Sequence, residues 1–458
     1  MVFGLESRRN DHRPALLLPE SGACLDHAGL CRRVEEAAAR LRPLAPAVLM
    51  MELTADVGAV VAYLAALSAG LAVMPLPAGL AEETVQVLIA RYRPELVRRP
   101  SAVEGYEERD GLWHRQDGSQ PPPHADLALL LSTSGSSGSP KCARLGRQAV
   151  EANARQIVEA LGIGHGERAP TSLPLSYSYG LSVLNSHLAA GASVILTTDS
   201  ITGRPFWQAL AQHGATSLAG VPATYDMLRR LDLDALAPPS LKTLTQAGGV
   251  LPPALVGHFD AFMRRRGGRL FIMYGQTEAT ARIAVLPPED LPGRLGAAGR
   301  ALPGGTLSID RANGHVLYRG PNVMMGYAEG RDDLARGDDL AGLLDTGDLG
   351  RLDDDGILWI TGRDKRIAKI GGLRLNLDEV ELRAAKFGPA AVMDGGFWLG
   401  VALAGTVLPD RSARQDFARL LGLHSTQLRW LAVADLPLSA NGKTDYRALA
   451  ALAWGERP

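Results

Sequence analysis

The loop Thr133-Ser-Gly-Ser-Ser-Gly-Ser-Pro-Lys141 gathers hydroxyls, glycines and a lysine directly behind the apolar run Leu127-Ala-Leu-Leu-Leu131. Glycines let backbone N–H groups approach a polyphosphate, hydroxyls donate hydrogen bonds and the lysine adds charge, so the segment reads as a grip for anionic oxygen. It is not a Walker A loop, which needs four residues between its first glycine and a Gly-Lys-Ser/Thr ending. Here Gly135 and Gly138 have two residues between them and Pro140 precedes Lys141. Nucleotide use is suggested, by an architecture other than that of P-loop kinases and NTPases. Later segments hold further groups suited to phosphates and carboxylates: Tyr274-Gly-Gln-Thr-Glu-Ala-Thr280, Leu344-Asp-Thr-Gly-Asp-Leu349, Gly362-Arg-Asp-Lys-Arg-Ile-Ala-Lys-Ile-Gly-Gly372 and Leu436-Pro-Leu-Ser-Ala-Asn-Gly-Lys443. Alone, each has a plain explanation. Glu278 is a helix-start charge that the dipole favours, Asp348 a turn cap, Tyr274 a strand-end core aromatic and Lys443 a surface lysine after an Asn-Gly turn.

The elements that must carry these groups alternate at first. Val34, Ala38 and Leu41 share a helical face, Ala47–Met51 reads as a buried strand, and the pattern repeats through Leu80–Tyr92. His114–His124 is rich in turn residues and is read as a surface connection. Val150, Ile157 and Leu161 mark another helix, and Ser193–Leu196, Leu241–Thr245 and Leu270–Met273 short strands. Strands separated by helices predict parallel α/β sheets. After about residue 300 the texture changes. Thr306–Asp310 and His315–Arg319 flank Arg-Ala-Asn-Gly; Leu349–Leu352 and Ile357–Thr361 flank Asp353-Asp-Asp-Gly356; Ile367–Ile370 and Leu373–Asn376 flank Gly371-Gly372. These are hairpin signals, with the Leu344–Leu349 segment opening the second.

The chain has 458 residues, 46% hydrophobic and 21% charged, with a net charge of -1 and a pI near 6.8. That size predicts more than one domain, and that balance argues against a nucleic-acid or anionic-membrane surface. The three cysteines form no metal spacing or disulfide framework, and Cys142 reads as a small buried filler. The N-terminus has no apolar signal core, so a cytoplasmic protein is expected. Val57–Ala81 carries no charge and is long enough for a bilayer. Ser68, Gly70, Pro75 and Pro77 break it, and the reading is a buried helix over about Val57–Ser68, a stop at Gly70 and a strand over Leu71–Met74.

Together and in this order, the motifs resemble the adenylate-forming (ANL) superfamily: acyl- and aryl-CoA synthetases, adenylation domains of nonribosomal peptide synthetases, and firefly luciferase. The resemblance covers nearly the whole chain. It implies an α/β fold, with a large N-terminal domain over 1–363 made of two parallel-type α/β sheets plus a β-rich, distorted-barrel subdomain. A small mobile α+β lid domain over 364–458 would carry the catalytic lysine. Activating a carboxylate with ATP brings two anions together, so the site must neutralise charge and hold the pyrophosphate.

The resemblance makes Thr133, Ser134, Gly135, Ser136, Ser137, Gly138 and Lys141 the β/γ-phosphate cradle. Glu278 becomes the Mg²⁺ ligand, a hard oxygen for a hard cation, and Thr277 the α-phosphate partner. Tyr274 matches the aromatic packed on adenine, with Gly275 and Gly248 counted beside it in the nucleotide site. Asp348 and Arg363 match the ribose contacts, and Lys443 the lysine bridging substrate carboxylate and α-phosphate. Lys365 matches the hinge of the lid, and Lys369 a lysine serving the thioester step; for both the alternative is a solvated basic strand face.

The acid pocket would be drawn from Leu173–Ser182, Ala219–Thr224 and the Gly248-Gly249 pair, with Tyr177, Ser178, Gly180, Val221 and Gly249 as its walls. Amino-acid-activating relatives place an aspartate where Ser178 stands. A serine cannot neutralise a buried ammonium, so a plain acyl or aryl acid is expected. For Tyr179 core packing with a satisfied hydroxyl is the expected role. By the same resemblance the acceptor would be a pantetheine thiol. The chain is shorter than typical members, Phe387–Leu403 is compressed on the CoA-facing side of the lid, and no carrier domain follows Lys443. The expectation therefore leans to a carrier protein acting in trans, with free CoA as the alternative and a non-catalytic adenylate-binding relative behind both.

Overall fold

The computed structural model describes residues 2–117, 120–133, 141–370, 373–405, 407–439 and 442–454. The chain divides into two compact units, one of residues 1–306 and 318–344, the other of 307–317 and 345–458.

Uninterrupted apolar strands make the centres of the first unit's sheets, as strands buried on both faces require. In the eight-stranded sheet, Leu127–Ser132, Ala72–Leu76, Val48–Glu52 and Leu96–Arg98 run parallel, with Val73 opposite Leu129 and Leu49 between Val73 and Leu96. Antiparallel strands close both edges: Cys142–Gly146 and Gly326–Ala328 on one side, Leu112–Arg115 and Tyr106–Arg109 on the other. A five-stranded sheet follows the same plan. Ser217–Gly220, Thr243–Gln246 and Arg269–Tyr274 are parallel, and Ala284–Leu286 and Arg300–Ala301 antiparallel. A four-stranded sheet joins Arg168–Pro170, Ser193–Ile195 and Pro14–Leu18 in parallel and ends on Ala23–Asp26. The α/β expectation holds, with antiparallel rims that strand-and-helix alternation does not announce. The connection expected over His114–His124 begins later, because His114 and Arg115 pair with Glu107 and Tyr106.

The uncharged segment behaves as a core element. Asp56 caps the helix Val57–Ala69 by accepting the Ala59 N–H at 2.8 Å, Gly70 ends it at φ 97°, and the buried strand Ala72–Leu76 follows. No helix among the described residues is long and apolar enough to cross a membrane. Cys142 is fully buried, and burial pushes its thiol up to about 11, in keeping with a filler.

The helix Ser178–Ala190 is buried along most of its length and carries His187 inside it. The His187 Nδ1 lies 2.9 Å from the Val183 carbonyl, to which it must donate, and burial pushes the imidazole down to about 4. In the unfolded chain the same imidazole protonates near 6.5. The stability this group supports is therefore complete above pH 6.5 and is lost as pH falls towards 4, on the order of 3 kcal/mol in all. His187→Gln should flatten that acid limb, measured as urea midpoints at pH 7 and pH 4.5. Parallel losses in variant and wild type would show that His187 contributes nothing to it.

The strand Leu343–Leu352 enters the second unit at Asp345 and there pairs antiparallel with Leu358–Arg363, placing Asp348 opposite Arg363. The segment Leu344–Leu349 opens this hairpin as expected, forming the start of its first strand. Gly347 at φ 66° and an irregularity between Leu349 and Gly350 absorb the kink, and the strand continues to Leu352. Asp353 makes the turn itself, accepting the N–H groups of Asp355 and Ile357 at 3.1 and 2.9 Å. Ile367–Ile370 pairs with Leu373–Asn376 as the sequence predicts; the Gly371-Gly372 link lies outside the described residues. The helix Leu377–Ala384 packs beside a sheet of Ala390–Asp394, Leu399–Ala404 and Leu428–Val433. Phe387, Phe417 and Trp430 meet edge to face in this unit's core.

Candidate active site

Thr133 and Lys141, the two ends of the hydroxyl- and glycine-rich loop, are tied to each other. The Thr133 N–H and hydroxyl donate to the Lys141 carbonyl at 2.9 and 3.2 Å, and Ser132 pairs with Cys142 in the flanking ladder. The loop therefore connects two antiparallel strands, whereas a P-loop runs from strand into helix. Ser134, Gly135, Ser136, Ser137 and Gly138 lie outside the described residues.

Lys141 reaches across to the edge strand Gly326–Ala328. Its Nζ stands 2.9 Å from Glu329 Oε1 and 5.7 Å from the centroid of the Tyr327 ring. The Tyr327 hydroxyl donates to Glu278 Oε1 at 2.7 Å. One tyrosine thus touches both the predicted phosphate lysine and the predicted metal carboxylate. Burial of the phenol and the carboxylate beside it push its pKa up, so it stays a neutral donor. Neither Tyr327 nor Glu329 was singled out from sequence. The one available signal was a Gly-Tyr pair and an acid just before the antiparallel region, too common to weigh alone.

Glu278 and Thr277 sit in a short helical turn, Thr277–Ala279, directly after the strand Arg269–Tyr274. Tyr274 is the half-buried strand end, opposite Ala284. Gly275 allows the chain to double back, since a Cβ there would collide with the Ala281 carbonyl. Asn322 holds the turn from below, its Nδ2 donating to the Ala279 and Arg282 carbonyls at 2.9 and 2.8 Å. Among the described residues no group of three or more His, Cys, Asp or Glu side chains gathers into a metal cage. A single carboxylate at Glu278 suits a cation that takes its remaining ligands from substrate phosphates and water.

The predicted acid-pocket residues also cluster in the first unit. Ser178 begins its helix with its Oγ 3.4 Å from Thr277 Oγ1. Gly180 lies in the same first turn, packed on the Leu173 and Pro174 carbonyls. Gly248 adopts φ 85°, and a Cβ on it would stand 2.7 Å from the Tyr177 hydroxyl and 3.1 Å from Val221. Only glycine lets Tyr177 and Val221 close in at this point. Gly249 is fixed by its carbonyl, which accepts Gln246 Nε2 at 2.8 Å. The Tyr179 hydroxyl donates to the Thr245 carbonyl at 2.8 Å, the satisfied core tyrosine expected.

The second unit carries the rest. Asp348 is buried, and its Oδ1 lies 2.9 Å from Arg363 Nε. Lys365 lies in the turn Asp364–Arg366, and Lys369 on the strand Ile367–Ile370, opposite Arg374. Arg366 anchors that turn with Nη2 2.6 Å from Glu381, a carboxyl raised by burial that also accepts the Tyr446 hydroxyl at 2.9 Å. Lys443 is held through its backbone: its N–H donates to Ser439 Oγ at 3.3 Å, and its carbonyl accepts the Ser439 N–H at 2.7 Å.

Comparison with known proteins identifies relatives of the chain and of its fold. A sulfoacetate–CoA ligase of Cupriavidus necator is 32% identical over 348 residues, 70% of this chain and 67% of that protein. A 2-succinylbenzoate–CoA ligase of Bacillus velezensis is 29% identical over 351 residues, 72% of this chain and 70% of the relative. The fold matches the O-succinylbenzoate coenzyme A synthetase of Bacillus subtilis in complex with ATP and magnesium ion. The TM-score is 0.77, with 22% identity over 97% of this chain and 98% of that one. The sequence profile of the AMP-binding enzymes matches residues 6–328, a span that runs from the first helical turn to the Tyr327 strand, and the chain belongs to this family of adenylate-forming enzymes.

Proposed function

We propose that the protein activates a small carboxylic acid with ATP, forming an acyl-adenylate and pyrophosphate, and transfers the acyl group to the thiol of free coenzyme A. The observation that carries the first half is the Lys141–Tyr327–Glu278 cluster. It brings a cation for phosphate over one tyrosine ring and a carboxylate for a metal to the hydroxyl of the same ring. Lys141 steadies the β- and γ-phosphates, and Glu278 would hold Mg²⁺, which supplies positive charge beside the phosphates when bound. The Glu329 carboxylate keeps Lys141 extended; this exposed pair contributes little energy and yields readily to a phosphate. Thr277 donates to the α-phosphate and Lys443 adds charge there as the carboxylate attacks. Asp348 accepts from the ribose, with Arg363 beside it, and Tyr274, Gly275 and Gly248 border the base. Tyr177, Val221 and Gly249 shape the acid pocket, and Ser178 rather than an acid at its mouth favours substrates without an ammonium. Residues 364–458 act as the lid, Lys365 as its hinge and Lys369 in the thioester step.

The acceptor is not the carrier protein that the compact lid predicts. Both relatives compared above are CoA ligases, and similarity to them extends over about two thirds of each relative, which supports free CoA. The test is acid-dependent ATP–pyrophosphate exchange over a panel of carboxylic acids, followed by thioester formation with CoA and with a phosphopantetheinylated carrier protein. Exchange with thioester formed only on the carrier would reverse the choice of acceptor. No exchange with any acid, beside a working control enzyme, would refute adenylation.

A further inference from the structure

The loop that ends on Lys443 is tied to itself at its base. The Asp445 N–H donates to the Pro437 carbonyl at 2.8 Å, Leu438 bridges Thr444, and the Ser439 N–H donates to the Lys443 carbonyl at 2.7 Å. These bonds set the shape of the loop. They do not set where it points, which depends on what the base is docked against. That docking falls to Tyr446, the first residue of the helix Tyr446–Trp454. Asp445 caps this helix by accepting the Arg447 and Ala448 N–H groups at 3.0 and 2.9 Å, and Leu449 is fully buried beside Ala391, Met393 and Ala402.

Tyr446 meets an ion cluster there. Its hydroxyl stands 2.9 Å from each oxygen of Glu381, and the Arg366 guanidinium lies 4.1 Å over its ring. Arg366 spans the cluster. Its Nη2 reaches Glu381 Oε2 at 2.6 Å and the Val392 carbonyl at 3.3 Å, and its Nε pairs with Asp378. Glu381 Oε2 also accepts the Val392 N–H at 3.1 Å, which fixes the carboxylate to a core strand. The phenol is thus held from its face and from its tip. Burial and the carboxylate beside it keep it a neutral donor. Apolar packing would hold the helix as firmly, since exchanging a buried ion cluster for hydrophobic residues is often neutral in stability. What charged hydrogen bonds add is direction, because they are short, strong and selective in geometry. One carboxylate therefore receives both the turn Asp364–Arg366 and the residue three places after Lys443.

We propose that Glu381 and Tyr446 are positioning residues for Lys443: the carboxylate fixes the phenol, and the phenol fixes the direction in which the loop presents the lysine. The inference rests on the adenylation reading, in which Lys443 acts at the α-phosphate, and adds what aims it. Tyr446→Phe keeps the ring under Arg366 and removes only the hydroxyl. Displacing a reacting group by about 1 Å can cost on the order of 100-fold. A loosened loop should lower kcat for acid-dependent ATP–pyrophosphate exchange by about tenfold, with KM for ATP and for the acid unchanged. Glu381→Gln, which leaves the phenol an acceptor without the charge, should repeat that kcat loss. Thioester formation from a chemically prepared acyl-adenylate should not slow in Tyr446→Phe. The decisive comparison places Tyr446→Phe in the Lys443→Ala background: with no ammonium left to aim, the second change should add nothing. A loss that recurs in full in that background makes Tyr446 a support of the fold alone and overturns the proposal. Equal losses in exchange and thioester formation, or an unchanged kcat, overturn it too. All three leave adenylation standing, whereas a wild type that exchanges with no acid overturns both.

Discussion

Lys443→Ala lowers acid-dependent ATP–pyrophosphate exchange by about 10²–10³-fold, the range seen when one group that stabilises developing charge is removed, and leaves ATP binding measurable. The fold gives a clean background for this change. Lys443 is half-buried, and its backbone is set by Ser439 and by the Leu438–Thr444 bridge, none of which needs the ammonium. Truncation at Cβ keeps these backbone bonds and removes the charge, and the melting temperature of the variant is measured beside its exchange rate. The contribution matters when negative charge from the acid approaches the α-phosphate, so kcat falls more than the affinity for ATP. A chemically prepared acyl-adenylate bypasses that step, and the variant should still pass its acyl group to CoA. Retention of full exchange would remove Lys443 from the mechanism.

Glu278→Gln should cost about 10²-fold in the same assay, for a different reason. The Tyr327 hydroxyl donates to Oε1 and so orients the carboxylate that would hold a hard cation. An amide of the same shape loses the charge and can turn its nitrogen towards the site. Tyr327→Phe keeps the ring that Lys141 lies over and removes only the hydroxyl. A hydrogen bond to a charged group contributes about 1.5–3 kcal/mol; with Tyr327 39% exposed, the low end applies. The expected result is a Mg²⁺ requirement raised about tenfold, with the maximal rate nearly recovered at high Mg²⁺. In Glu278→Gln the tyrosine has no charge left to orient, so the double variant should be no worse than the single one. Fully additive losses would mean that Tyr327 acts elsewhere.

How much of this could be read from the chain depends on how local each feature is. The helix over about Val57–Ser68 with its Gly70 stop and the strand pair over 367–376 are written in neighbouring residues, and both were legible, though the Asp56 cap was not read. So was the family, because its motifs are short runs in a fixed order. The strand Pro14–Leu18 was not, since it starts on proline at the margin of the chain and its parallel neighbour Ser193–Ile195 is far away; the Ser193 hydroxyl reaches the Pro14 carbonyl over 179 positions. The partnership of Tyr327 with Glu278 spans 49 positions, and no pattern within either segment announces it. The burial of Arg282 was invisible for a further reason: nothing in its flanking residues says that the side chain points inward, where a charge is least expected.

The clasp that holds the Tyr327 strand has a consequence for synthesis. Arg144, fully buried on the strand Cys142–Gly146, donates to the carbonyls of Tyr327, Met325, Arg336 and Gly337 and pairs with Asp339. Its bond to Tyr327 joins positions 183 apart, a closure that must wait for everything between. A nascent chain that has cleared the ribosome to Arg282 already possesses the phosphate loop, Thr277 and Glu278, but offers Arg144 no carbonyls to hold and Glu278 no phenol. Until translation has passed Asp339, Lys141 and Glu278 lack the strand whose tyrosine brings them together, and a nascent chain offers the proposed ATP site only in pieces.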